Sequence, residues 1–276
     1  MTARLRRDPA FVLAAAILGA WVAVALLAPQ LAPYPSDLQL DLTRLRESAP
    51  SAAHWFGTDG VSRDVLSRLL VGARVTLLMG AIAVGTSLGL GVLWGSAAAL
   101  SPLWLDRLLM RTIDACLAFP RLVLLLSVAA AFGQLPPIPL AVVLGATGWF
   151  GTARLVRAEL RALAERSWVV AARALGAPEP RILRRHVLPA LVGPLAVAAS
   201  LALAAVVPLE AGLTFLGFGV RAPAASWGSL LAEAADRPDA LWWMVLFPAL
   251  ALVSVVASAT VVGDRLRRHF DLGDRA

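Results

Sequence analysis

The sequence predicts an all-α, polytopic membrane protein with six transmembrane helices, and three observations predict it. Hydrophobic residues make up 59% of the 276 residues and charged ones only 16%, with a mean hydropathy of +0.76. Soluble domains carry roughly 25% charged residues, so this chain has too little charge to cover a soluble surface of its size. Uncharged apolar runs recur along the whole length, each near the ~20 residues that a bilayer-spanning helix needs. The arginines are spread unevenly over the intervals between those runs.

The same composition excludes other classes. The single cysteine, Cys116, rules out an internal disulfide or a thiolate metal cluster. His54, His186 and His269 are far apart, so no His-rich metal site is expected. All 25 basic residues are arginine, and lysine and asparagine are absent. The net charge of +7 is assigned to arginines held on the cytoplasmic side of a membrane rather than to nucleic-acid binding.

The first apolar run, 10–28, follows Arg4, Arg6 and Arg7. It exceeds the usual signal-peptide core of about 7–15 residues, and more spans follow, so residues 1–32 read as a short N-terminus and an uncleaved anchor. Residues 33–74 form a polar interval. At its end Val65, Leu66, Leu69 and Leu70 fall at helical spacing, which predicts a short amphipathic helix on the membrane surface. Residues 75–264 then hold five spans. In the second span, 75–100, Gly85/Gly89 and Gly91/Gly95 put small residues on shared faces, which lets helices approach closely in lipid.

The third span, 108–132, contains Asp114, Pro120 and Arg121. Asp114 and Arg121 are two turns apart, about 10 Å, too far to pair in a straight helix. Either Pro120 distorts the helix, or, as preferred here, Asp114 sits at the cytoplasmic interface and Arg121 snorkels. A Pro-rich turn at 134–139 leads to the fourth span, 138–155. The basic interval 154–186 holds eight arginines. The fifth run, 187–219, is long for one crossing and contains Pro189, Pro194, Pro208 and Glu210. The sixth span, 241–263, leads to a basic tail, 265–276.

Six spans place both termini on one side. Seventeen arginines then fall on that side and seven on the other, with Arg121 inside a span, so the richer side is cytoplasmic. Glu210, an acid inside an apolar run, is either a pathway contact or an internal hydrogen-bonding group that fixes packing. Asp59, Arg63 and Asp64 fall on the opposite side, as caps, ion pairs or contacts to another protein. Trp227, Trp242 and Trp243 flank the last span as an aromatic belt, and His186 reads as an interfacial polar residue.

The basic interval carries the most specific pattern: Trp168-Val-Val-Ala-Ala-Arg-Ala-Leu-Gly176-Ala-Pro-Glu-Pro-Arg-Ile182, then Leu-Arg-Arg-His-Val-Leu-Pro189. Ala171, Ala172, Ala174 and Leu175 favour helix, Gly176 suits a helix C-cap and Pro178 stops it. A short rigid helix on a loop can dock into a groove of another protein and transmit movement into a membrane domain.

This stretch resembles the EAA loop of bacterial ABC-importer permeases. More narrowly, the chain resembles the C-type inner-membrane permease of the dipeptide/oligopeptide/nickel importer family. Four further segments fit in the family's order: His54-Trp-Phe-Gly-Thr-Asp59 with Arg63-Asp-Val-Leu-Ser-Arg68 and Gly72-Ala-Arg74; Glu210 with Leu213-Thr-Phe-Leu-Gly-Phe-Gly219; Pro223 with Ser226-Trp-Gly-Ser-Leu-Leu231; and Gly263-Asp-Arg-Leu-Arg267. There are three departures: Val170 replaces the Glu that opens the family loop, Ala190 a frequent Asn, and Ser62 a Gly.

The resemblance implies a type I importer permease, multi-pass in the bacterial cytoplasmic (inner) membrane with both termini cytoplasmic. It implies a second homologous permease subunit, one or two cytoplasmic ATPase subunits, an extracytoplasmic substrate-binding protein and membrane lipid as partners, and no nucleic acid. The ATPase-coupling residues carried over are Val170, Ala171, Ala172, Arg173, Ala174, Leu175, Gly176, Ile182, Leu188 and Pro189, with Glu210 and Asp114 as pathway or packing candidates. A chain without lysine has no Gly-x-x-x-x-Gly-Lys-Ser/Thr motif. It is therefore expected to be no enzyme and to bind no cofactor itself, with ATP and Mg on the partner ATPases. A proton-coupled secondary transporter using Glu210 or Asp114 is the alternative, though no inverted repeat supports it. An intramembrane enzyme lacks paired acids and any H-E-x-x-H or G-x-S-x-G motif.

Overall fold

The computed structural model describes residues 8–182, 185, 188–220 and 224–273. Arg4, Arg6, Arg7, Arg184, His186 and Pro223, named above, lie outside them. In chain order the helices are α1 (Pro9–Leu31), α2 (Val65–Leu100), α3 (Leu103–Leu117), α4 (Arg121–Phe132), α5 (Pro137–Ala146), α6 (Phe150–Ala164), α7 (Ser167–Ala174), α8 (Glu179–Ile182), α9 (Leu188–Phe215), α10 (Trp227–Glu233) and α11 (Trp242–Gly273). Among the described residues the only extended pairing is one isolated antiparallel bridge between Thr58 and Asp64.

Local chemistry starts the first helix. The Asp8 carboxylate accepts from the backbone N–H of Ala10 (3.0 Å) and Phe11 (3.3 Å), and Pro9 takes the first helical position, where a missing N–H does no harm. The same carboxylate pairs with Arg265 of α11 at 2.9 Å, so the first and last helices meet at one end of the bundle. That requires an even number of crossings. Helices α1, α2, α9 and α11 are each long and apolar enough to cross a membrane, and six crossings result when the bent pairs α3–α4 and α5–α6 each count as one.

The stretch 65–74 is not a separate surface helix. Asp64 caps it, accepting from the N–H (2.8 Å) and hydroxyl (2.7 Å) of Ser67, and the helix then runs unbroken to Leu100. Its apolar stripe faces protein, not lipid. Val65 packs with Leu241, Trp243 and Met244, and Leu69 with Trp227. At 36 residues α2 is about 54 Å long, well beyond a ~30 Å hydrocarbon core.

The two glycine pairs part company. A Cβ on Gly91 would meet Thr152 side-chain atoms at 2.5 Å, and one on Gly95 the Ala153 carbonyl at 2.5 Å, so this pair lets α6 lie directly against α2. Gly145 of α5 makes the same approach to Ala83 and Thr86 of α2. Gly85 and Gly89 have nothing within 4 Å.

The third and fourth crossings are broken. Between α3 and α4 the chain turns by 79° at residues 118–120, where Pro120 has no N–H to continue the helix; α5 and α6 meet at 47° across residues 147–149. The second half of the fourth crossing, α6, runs to Ala164, so the first eleven residues of the expected loop belong to the bundle. The fifth run is one helix despite Pro194 and Pro208, and the last helix continues through much of the expected tail.

Residues 33–64 cover the end opposite the termini. Trp243 Nε1 donates to the Thr58 carbonyl (3.2 Å), and Glu47 pairs with Arg237. The Asp41 carboxyl is held below its ordinary value, first by the Thr43 hydroxyl and then by the N–H groups of Thr43 and Arg44. Trp227 is buried, donating from Nε1 to Leu69 O (3.1 Å) and meeting Trp21 of α1 edge-on at 4.8 Å. Of the three expected belt tryptophans only Trp242 is exposed.

Gly95→Val, which forces Cβ and methyl groups into the α2–α6 contact, will lower the stability of the purified chain by about 1–3 kcal/mol. Gly85→Val, on the open face, will leave it within experimental error. Thermal unfolding midpoints in one detergent decide; equal shifts for the two variants contradict the packing described.

Candidate functional site

The termini-bearing end of the bundle carries α7. Its end is closed by a Schellman motif: Ala177 N–H donates to Ala172 O (3.1 Å), Gly176 N–H to Arg173 O (3.0 Å), and Gly176 adopts φ +78°, a conformation that costs an L side chain about 1–2 kcal/mol. One side of the helix is pinned. Val169 is buried with Val156 and Leu160 of α6, Ile182 of α8 and Leu191 of α9. On the other side Val170, Ala171, Ala174 and Leu175 are exposed, Leu175 at 88%.

The residues carried over from the family loop therefore separate. Val170, Ala171, Arg173, Ala174, Leu175 and Gly176 form an outward surface; Ala172 is half-buried and Ile182 belongs to the base; Leu188 and Pro189 stand exposed at the start of α9. Val170, at 52% exposure, points outward, so the family glutamate would stand at an exposed position here.

The base of α7 is braced by ion pairs between α3 and α6. Asp106, 2% exposed, accepts from Arg157 through both oxygens (Nη2 at 2.6 Å) and from Arg161 Nη2 at 2.7 Å. Asp114 pairs with Arg154 at the surface. Asp114 is thus part of this brace, and it does not meet Arg121. Arg121 does not snorkel: its Nη2 donates to Leu144 O at 2.6 Å and its Nε to Thr147 Oγ1 at 3.4 Å, across the break in the fourth crossing. Asp106 escaped the sequence reading. The signal was there in Arg154, Arg157 and Arg161, which share one face of a helix, but nothing local says which acid they meet.

At the opposite end Glu210 is 1% exposed. Its Oε1 accepts from the hydroxyls of Thr214 (2.9 Å) and Ser226 (3.0 Å), tying α9 to the N-cap of α10; Oε2 has no partner among the described residues. These bonds join two elements of the same chain, α9 and α10. Beside it, Arg68 of α2 donates to Asp59 (2.6 Å) and to Glu233 of α10 (2.7 Å), and Arg63 donates to the same two acids. Asp59 and Arg63 are therefore joined internally. His54 Nδ1 lies 3.0 Å from the capping Asp64.

An apolar bundle of six crossings, counting each bent pair as one, with a pinned helix offering an apolar face at its arginine-rich end, defines a multi-pass membrane protein. The chain matches the family described as "Binding-protein-dependent transport system inner membrane component" over residues 87–273, and that described as "N-terminal TM domain of oligopeptide transport permease C" over residues 1–50. It is 41% identical over 242 residues to a provisionally named peptide permease protein of Brucella suis biovar 1, covering 87% of this chain and 79% of the relative. It is 33% identical over 269 residues to the dipeptide transport system permease protein DppC of Alkalihalophilus pseudofirmus, covering 97% and 87%. The chain belongs to the family of binding-protein-dependent transport system inner membrane components. It is a multi-pass inner-membrane protein and the permease subunit of an ABC importer, non-catalytic itself and working with ATPase and substrate-binding partners. Nothing favours the proton-coupled alternative.

Asp106→Asn leaves two guanidinium groups facing a neutral partner, and loss of charged hydrogen bonds of this kind costs about 1.5–3 kcal/mol. Asp114→Asn, at the surface, will cost under about 1 kcal/mol. Urea or thermal unfolding of the detergent-solubilised variants ranks them; the reverse order refutes the brace.

Proposed function

We propose that this chain forms half of a translocation pathway for peptides or a related small solute, with a second homologous permease subunit forming the other half. The observation that carries the reading is α7: a short helix pinned through Val169, stopped at Gly176 and presenting Val170, Ala171, Ala174 and Leu175 outward. One or two cytoplasmic ATPase subunits bind this face and carry ATP and Mg, while this chain binds no cofactor. The arginine excess at the end bearing α7 and both termini supports a cytoplasmic placement of that end. An extracytoplasmic binding protein meets the opposite end, formed by residues 33–64, 216–220 and 224–241. The peptide substrate class is supported by the names of the relatives. ATP binding closes the ATPases and moves α7; through Val169 the movement passes to α6 and α9.

Purification of the tagged chain from its native membranes in mild detergent, followed by mass spectrometry, is expected to recover a second permease and one or two ATPases. Leu175→Asp puts a charge on the docking face, and Gly176→Val strains the stop of α7 by about 1–2 kcal/mol. Both variants will retain the second permease and lose most of the ATPase. A solitary chain that transports in liposomes without ATP would sink the reading and return attention to Glu210.

A further inference from the structure

Arg121 opens α4 at the level where two crossings are broken. Gly145 packs on Thr86 of α2, and Gly91 of α2 packs on Thr152. Thr147 and Gly148 therefore lie beside residues 87–89 of α2, a few residues from its midpoint and about 17–20 Å along the axis from its end at Leu100. The Arg121 guanidinium sits here, filling the space that a Cβ on Gly148 would need (2.8 Å from Nη2). Its two hydrogen bonds go to neutral acceptors, Leu144 O and Thr147 Oγ1. Among the described residues no carboxylate is within ion-pair reach of it: Asp114 is paired with Arg154, and Glu210 is enclosed with Thr214 and Ser226.

An arginine cannot shed its proton, so the charge persists at membrane depth. Ionisable groups there are expensive, and where they persist they face protein or water along solute and ion routes. The guanidinium is only half-buried, Nη1 donates to no described residue, and the neighbouring Phe119, Leu122 and Val123 are exposed, so this chain leaves the start of α4 largely uncovered.

We propose that Arg121 is a substrate-contact residue whose free guanidinium edge receives a carboxylate of the passing solute, the C-terminal carboxylate when the solute is a peptide. The inference rests on the importer reading above. Two of the five donors hold the side chain across the break, and those that remain give the carboxylate a hold that is specific but incomplete. A solute in transit needs such a site, favourable enough to enter and weak enough to leave.

The test uses the complete transporter with its binding protein in proteoliposomes. A mixed pool of di- to pentapeptides, each with a free and an amidated C-terminus, is supplied with ATP, and uptake is quantified by mass spectrometry. The ratio of free to amidated uptake is compared between variants; the binding protein's own preference enters every ratio equally and cancels. Arg121→Gln is expected to lower the ratio by about tenfold or more, the loss of one charged hydrogen bond. Arg121→Lys keeps the cation and restores most of it. Thr147→Ala removes a brace partner and leaves the ratio unchanged even if total uptake falls. Equal loss of both peptide forms in Arg121→Gln, or no loss, overturns the proposal. Absence of ATP-dependent uptake by the unaltered transporter is a separate result that overturns the importer reading and this inference with it.

Discussion

Inside a bilayer no water can take up a backbone group that a helix leaves unpaired, and the two broken crossings of this bundle are shaped by that constraint. At the first break Pro120 has no N–H to satisfy, Ala118 N–H donates to Asp114 O and Phe119 N–H to Cys116 O, and Val123 N–H begins the next helix on Pro120 O. At the second, Thr147 and Gly148 close back on Val143 and Gly145, and the Arg121 guanidinium takes Leu144 O from the neighbouring break. Each break thus keeps several of its backbone groups paired within the chain. A long-range bond between them holds both at one level.

That level divides the bundle. On one side the shorter halves, α4 and α5, share an apolar core with α2 and α9 through Leu125, Leu140, Leu144, Met79, Val206 and Leu213. On the other side, α3 and α6 are joined by Asp106, Asp114 and three arginines, and by Ile113 against Phe150 and Ala153. Apolar contacts slide and repack more readily than a covered carboxylate abandons two guanidinium groups. The half bearing α7 thus joins α3 to α6 by ion pairs, whereas α4 and α5 meet α2 and α9 through apolar contacts.

Much of this was legible from local chemistry. Apolar runs near span length located the crossings because burying their backbone in lipid demands helix. Gly176 marked the end of α7 because a left-handed C′ position favours glycine. The departure at Ser62 also has a local meaning: its φ is +62°, which glycine adopts without strain, and the serine holds it by donating from its N–H to Asp59 O and from its hydroxyl to Asp41 O. What escaped were pairings between distant segments. Asp106 and Arg157 are 51 residues apart, and Arg68 and Glu233 are 165 apart. Trp227 and Trp243 are buried rather than set as lipid anchors; a tryptophan beside a span carries no mark of which way it turns.

The order and number of crossings, the side rich in arginine, the capped helix α7 and an acid embedded in the fifth crossing follow from composition and from neighbours a few residues apart, where helix periodicity and backbone sterics act. The folding of 65–74 into α2, the choice of Gly91 and Gly95 over Gly85 and Gly89 as the contact face, the two breaks and the partners of Asp114, Arg121 and Glu210 were settled by packing. Each depends on which surface of another helix lies opposite. A residue's own neighbours in the chain carry no information about that surface.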